Sequence, residues 1–163
     1  EKEEFRLEFC TGNKYNHFSV KDSIVNDLEK EHHWIQLKFD EQYARNNQPL
    51  WSHEYTKHGM CSSNLYDQRA YFLLAMRLKD KFDLLTTFRT HGITPGTKHT
   101  FDEIQSAIKT VTNKVVADLK CVQHIKGVQE LKEIGICFTP EADSSHPCRQ
   151  GNTCDESMSI LFR

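Results

Sequence analysis

Long apolar runs are missing from this chain of 163 residues, and so are the C-x-x-C pairs that mark zinc ribbons and redox sites. No stretch reaches the roughly 18 uninterrupted apolar residues that a membrane-spanning helix needs, so no membrane is expected among its partners. The first residues, Glu1, Lys2, Glu3 and Glu4, are charged and open no signal-peptide apolar stretch. A basic excess is absent too: 21 lysines and arginines stand against 23 acidic residues, a net charge of −2. The isoelectric point lies near 6.5. That removes the global positive field behind tight, non-specific nucleic-acid binding. It leaves room for an enzyme, which needs only a local positive site. No repeat, low-complexity tract or Gly/Ser/Pro-rich linker interrupts residues 1–163, which therefore read as a single domain long enough to bury a core.

What is present begins with cysteine. Cys10, Cys61, Cys121, Cys137, Cys148 and Cys154 make an even number. A disulfide framework in a secreted, extracellular protein is the leading reading, with buried thiols in a cytosolic protein as the alternative. Three bridges at ~3–4 kcal/mol each would supply a large share of a domain's stability. Spacing alone leaves the pairing open.

Apolar periodicity places helices first and strands later. Val20, Ile24, Val25 and Leu28 mark one helical face over residues 19–33. Residues 50–62 read as a helix with Pro49 suited to its first turn. Asp67 can cap the clearest helix, whose apolar residues Tyr71, Phe72, Leu74, Ala75, Leu78, Phe82 and Leu85 keep the 3.6 period to Leu85. Thr100 and Glu103 form a capping-box pattern ahead of Ile104, Ala107, Ile108 and Val111. Residues 115–121, 131–138 and 158–162 are short and rich in β-formers. This order predicts an α+β domain.

The chemistry gathers in His53-Glu54-Tyr55-Thr56-Lys57-His58. On a helix, positions 53, 54, 57 and 58 fall at about 0°, 100°, 40° and 140°, so His53, Glu54, Lys57 and His58 share one face. An imidazole moves protons near neutral pH, and an ammonium neutralises charge growing on a phosphoryl oxygen. A nearby carboxylate can orient an imidazole. Such a face suits chemistry at a phosphate. A solvated helix face of mixed charge explains the same residues. A zinc helix does not, since H-E-x-x-H requires histidine where Lys57 stands.

The segment from Trp51 to Cys61 resembles the second active-site segment of the T2 ribonuclease family, W-x-x-E-[WY]-x-K-H-G-[TS]-C, with Met60 in place of the small hydroxyl residue. Asp80-Lys81-Phe82-Asp83-Leu84-Leu85, His91-Gly92-Ile93 and Leu131-Lys132-Glu133-Ile134-Gly135-Ile136-Cys137-Phe138 resemble segments of the plant self-incompatibility ribonucleases, the S-RNases. The likeness runs from about Cys10 to the end.

The resemblance implies a fold of several helices packed on an antiparallel sheet, with the family's N-terminal strands absent from this chain. It implies a secreted endoribonuclease that cleaves single-stranded RNA by 2′-hydroxyl attack to a 2′,3′-cyclic phosphate. No metal or cofactor is expected. By resemblance His58 is the general base, and Glu54 and Lys57 stabilise the transition state. His53 stands at a phosphate-binding position, and Leu50 at a base-pocket position. The bridges implied are Cys10–Cys61, Cys121–Cys154 and Cys137–Cys148. Expected partners are the RNA substrate and pollen F-box proteins, with the chain a monomer. The hypervariable, allele-distinguishing stretch would fall near residues 11–41.

The family's other catalytic histidine sits in a segment like F-T-I-H-G-L-W-P, and no His-Gly-Leu-Trp occurs here. A partial chain is the expected reason, and these 163 residues alone are expected to be nearly inactive. His91-Gly92 reads as structural. His17, His32, His33, His99, His124 and His146 read as surface residues. No N-x-[ST] glycan acceptor occurs. The rival reading is an inactive storage or lectin-like protein on the same fold.

Overall fold

Local capping signals account for most of the helices in the computed structural model, which describes residues 8–20, 34–125, 127–149 and 151–163. By its contacts the chain divides into two compact units, Glu1–Lys81 and Phe82–Arg163.

In the first unit the Asp40 carboxylate accepts the Tyr43 N–H at 2.9 Å and opens helix α1, Glu41–Asn47. Gln48 ends it in the left-handed region at φ 47°, and the same residue opens α2, Pro49–Lys57. Proline at 49 disfavours helical geometry in the residue before it, so the two helices cannot merge. A 3₁₀ turn, Gly59–Ser62, follows α2. Helix α3, Gln68–Lys81, is capped by Asp67, whose carboxylate accepts the Ala70 N–H at 2.7 Å.

The unit's core is aromatic. Val20, Trp51, Tyr55 and Phe72 are buried, with Tyr15, Trp34, Leu50, Met60, Tyr71 and Met76 packed around them. Cys10 is bonded to Cys61. The helix expected over residues 19–33 falls almost wholly outside the described residues, as do His32 and His33 and part of the expected hypervariable stretch.

The apolar period that runs to Leu85 does not make one helix. Helix α3 stops at Lys81, and Asp83 accepts the Thr86 N–H at 3.1 Å to start α4, Leu84–Thr90. Phe82 is still buried, but Leu85 is exposed. A new cap outweighs a continuing pattern.

The second unit holds α4, strand β1 (Lys98–His99), helix α5 (Phe101–Lys109) and strands β2 (Asp118–Ile125), β3 (Val128–Gly135), β4 (Cys137–Phe138), β5 (Ser145–His146) and β6 (Ser159–Leu161). The capping box at α5 is complete. Glu103 N–H donates to the Thr100 hydroxyl at 3.2 Å, and Thr100 N–H donates to the Glu103 carboxylate at 2.7 Å. Val111 lies past the end of this helix, which stops at Lys109.

The main sheet runs β1-β6-β3-β2, and β4 and β5 pair separately. Here the expectation of an antiparallel sheet needs correcting, because β3 and β6 pair in parallel while β2–β3 and β1–β6 are antiparallel. A parallel pair needs a crossover of a dozen or more residues, and residues 136–158 supply it. Strand β2 also begins at Asp118 rather than at 115 and runs on to Ile125.

Phe88, Ile93, Ile104, Ala107, Ile108, Leu119 and Ile160 form this unit's core, so α4 and α5 pack on the sheet. Bridges join Cys121 to Cys154 and Cys137 to Cys148. The class is α+β, with helices and a mixed sheet.

Candidate active site

Helix α2 carries the site, and two aromatic residues fix which way it faces. Trp51 and Tyr55, one turn apart, are each 1% exposed and point into the aromatic core. The Trp51 indole N–H donates to the Trp34 carbonyl at 2.9 Å. The Leu50 N–H, left without a partner at the helix start, donates to the Gln36 side chain at 2.9 Å, and Gln36 in turn donates to the Ala44 carbonyl. The Tyr15 hydroxyl donates to the Gln48 side chain.

With that face buried, the opposite arc turns outward. His53 is exposed, and Glu54, Lys57 and His58 are half-buried. His58 is the C-cap residue, and its N–H donates to the Glu54 carbonyl at 2.9 Å, so Glu54 and His58 stay one turn apart. Of the expected pair of outer residues, His53 faces water, while Leu50 packs against the aromatic core. The α-helix ends at Lys57, short of the expected residue 62, because the chain tightens into the 3₁₀ turn at Gly59.

Gly59 is required there by packing. A Cβ at this position would meet the Tyr55 ring at 2.4 Å. Met60, in place of the family's small hydroxyl residue, packs against the aromatic core.

Sequence reasoning missed two neighbours of the site. The first is Glu8, whose carboxylate lies 3.4 Å from the Lys57 ammonium. The next residue donates its N–H to the Lys57 carbonyl, Phe9 to Lys57 at 2.7 Å, and the residue after that is bonded to Cys61. The Cys10–Cys61 pairing could have pointed to this segment.

The second is Tyr71 on α3, which packs edge-on against Tyr55 with ring centres 5.7 Å apart. Burial, and then the negative charge of Glu54, push its hydroxyl up to about 12. Burial, and then the charge of Asp67, also raise the Tyr55 hydroxyl. The Tyr71 hydroxyl is thus a half-buried phenol that feels the Glu54 charge.

A groove of about 430 Å³ lies beside the start of α2, lined by Trp34, Gln36, Phe39, Glu41, Ala44 and Trp51 among others. Phe39 and Tyr43 stack at its edge with ring centres 5.4 Å apart.

The remaining histidines divide. His146 is exposed and His17 is half-buried, while the side chain of His124 lies outside the described residues. His91 closes α4, with its Nδ1 2.8 Å from the Thr87 carbonyl, and Gly92 follows at φ 73°. His99 is a correction to the surface reading. Its side chain is only 14% exposed, with Nε2 2.6 Å from the Thr97 hydroxyl and Nδ1 3.7 Å from Glu103. The capping box that fixes Glu103 draws the ring inward. Among the described residues, no cluster of three or more histidine, cysteine or carboxylate groups has metal-binding geometry.

Comparisons with known proteins agree on one likeness. The model of the ribonuclease T2 family matches residues 1–148. Ribonuclease S-3 of Petunia hybrida is 68% identical over 165 residues, covering 100% of this chain and 73% of that protein. The crystal structure of the SF11-RNase of Nicotiana alata, associated with gametophytic self-incompatibility, is 50% identical with a TM-score of 0.87, over 98% of this chain and 80% of that one. A mutant of bitter gourd ribonuclease MC1 in complex with 5′-GMP is 26% identical with a TM-score of 0.81, over 99% and 80%.

Proposed function

The chain belongs to the ribonuclease T2 family and is a T2-type endoribonuclease closely related to S-RNases, and from that premise we propose that it cuts single-stranded RNA through the outward arc of α2. The observation that carries this reading is the arc itself. Trp51 and Tyr55 hold one face in the core, which leaves His53, Glu54, Lys57 and His58 together on the other.

In the proposed step His58 removes the proton from a ribose 2′-hydroxyl. The freed oxygen attacks the adjacent phosphorus, the bond to the 5′-oxygen breaks, and a 2′,3′-cyclic phosphate forms. Lys57 offsets the charge growing on the non-bridging oxygens. Glu54 acts beside it on the same arc, and Tyr71 sets its surroundings. His53 reaches a neighbouring phosphate from the exposed end of the arc. The groove beside Leu50 and Trp51 offers aromatic faces on which a base can stack.

The leaving 5′-oxygen takes up a proton, which comes from solvent water where no general acid delivers it. Without such an acid, cleavage is expected to be slow, since loss of one proton-transfer partner costs ~10²–10⁴-fold.

The family model spans both compact units, so we take them as parts of one ribonuclease domain. Three disulfides and the S-RNase relatives support secretion and a role on the pistil side of self-incompatibility, with pollen F-box proteins as partners. Expression confined to the style would support that role, and expression throughout the plant would remove it.

The deciding experiment is RNA cleavage by the protein translated from the complete transcript, with the product ends identified. Cyclic phosphate ends, together with a His58→Ala variant slowed ~10²–10⁴-fold at unchanged melting temperature, are expected. Equal rates for the two proteins would take His58 out of the reaction.

A further inference from the structure

Lys57, read above as the phosphate ligand, already holds an anion. Its Nζ lies 3.4 Å from a Glu8 carboxylate oxygen, and each side chain is 29% exposed. The position of Glu8 is built rather than incidental. The Phe9 N–H donates to the Lys57 carbonyl at 2.7 Å, and the Cys10–Cys61 bridge ties the strip down a second time. Phe9 itself takes φ 51°, a left-handed turn that side chains avoid unless neighbouring contacts impose it. Two fastenings on the residues just after Glu8 thus hold its carboxylate beside the ammonium.

We propose that Glu8 competes with RNA phosphate for Lys57 and so sets the affinity of the site for single-stranded RNA. The proposal rests on the reading of Lys57 as a phosphate ligand. A carboxylate and a phosphodiester are both singly charged oxygen acceptors, and a lysine ammonium is a compact charge that cannot fully neutralise two anions at once. Bringing a phosphate to Lys57 either displaces Glu8 or places two negative groups side by side. A partly exposed pair is weak enough to yield, since such pairs shift an equilibrium by a factor of about 1.5 to 5. Glu8 then keeps Lys57 ordered in the absence of RNA, and the cost appears as weaker substrate binding.

The test is binding of the 163-residue chain, bridges intact, to a single-stranded RNA oligonucleotide methylated at every 2′-oxygen, followed by fluorescence anisotropy over a range of salt. Methylation blocks cleavage, so the readout does not depend on turnover. Glu8→Gln is expected to tighten binding about two- to fivefold. It should also steepen the plot of log K against log salt by about 0.7, the increment for one more cation meeting a phosphate on a single strand. Glu156→Gln, which removes an exposed charge elsewhere, should do neither.

Lys57→Met should weaken binding and abolish the gain from Glu8→Gln. A gain that survives in the Lys57→Met background overturns the proposal, because the charge is then acting through space rather than on Lys57. Unchanged or weaker binding by Glu8→Gln, with Lys57→Met still weakening it, overturns the proposal alone and leaves Lys57 on the phosphate. Wild-type binding by Lys57→Met sinks both readings.

Discussion

The two compact units solve the same packing problem with different materials. The first fills its core with Trp51, Tyr55 and Phe72, ringed by Tyr15, Trp34 and Tyr71. The second uses Ile93, Ile104, Ile108, Leu119 and Ile160, with Phe88 and Phe101 as the large rings. Aliphatic side chains offer no polar handle. Tyrosines carry a hydroxyl to the edge of the core, where it meets charge. The unit that bears the proposed catalytic arc is thus the one whose aromatic cluster carries tyrosine hydroxyls, and Tyr71, which feels the Glu54 charge, is the clearest case.

On that division, core truncations should separate stability from chemistry. Trp51→Ala is expected to cost about 3–5 kcal/mol, and Ile104→Ala about 2–5 kcal/mol. Urea unfolding would measure both. Trp51→Ala should also lower turnover of the protein that remains folded, because it frees α2 to rotate, whereas Ile104→Ala should leave that turnover alone. Equal effects on turnover would erase the distinction.

Gly59→Ala is a smaller intrusion at the boundary of core and site. The new methyl meets the Tyr55 ring, so a cost of about 1–3 kcal/mol in thermal unfolding is expected. Relief of that cost in a Tyr55→Leu background would attribute it to this contact.

The smallest effects concern pH, and here the units should fail at opposite ends of the scale. Tyr71, pushed up to about 12, folds in its protonated form. Its contribution is whole below the unfolded tyrosine range near 10 and is lost as pH climbs toward 12. Tyr15 and Tyr55, raised chiefly by burial, act in the same direction.

In the second unit four carboxylates are held below their ordinary range. The Thr86 side chain lowers Asp83, the Thr100 N–H lowers Glu103, the Thr139 hydroxyl lowers Asp143 and the Ser157 hydroxyl lowers Asp155. Their stabilisation is present above about pH 4 and fades as pH falls through the lower native values. Both tryptophans, Trp34 and Trp51, belong to the first unit, so indole fluorescence should report the alkaline loss. Amide exchange at Ile104 and Leu119 should report the acid one. A fluorescence change at acid pH that precedes the exchange change would contradict this assignment.

Sequence alone reached the parts of the structure that depend on near neighbours. The shared face of Glu54, Lys57 and His58 follows from helix geometry, and the Thr100 cap from one short pattern. Three features escaped it for physical reasons. Phe82 and Leu85 continue the apolar period of α3, and only the Asp83 carboxylate, accepting an N–H three residues ahead, breaks the helix in two. The parallel pairing of β3 with β6 is settled by a long crossover, which leaves no local signal. Glu8 reads as one more charge in an acidic opening, and it gains meaning only when Cys10 meets Cys61.

Trp51, Tyr55 and Gly59 stand on a strict step of four, two rings in the core and the one residue able to pass beneath the second. A residue inserted or deleted between them would swing Lys57 and His58 through about 100° relative to their anchors. For folding, the segment is therefore expected to tolerate a change of letter on its outward side better than any change of its length.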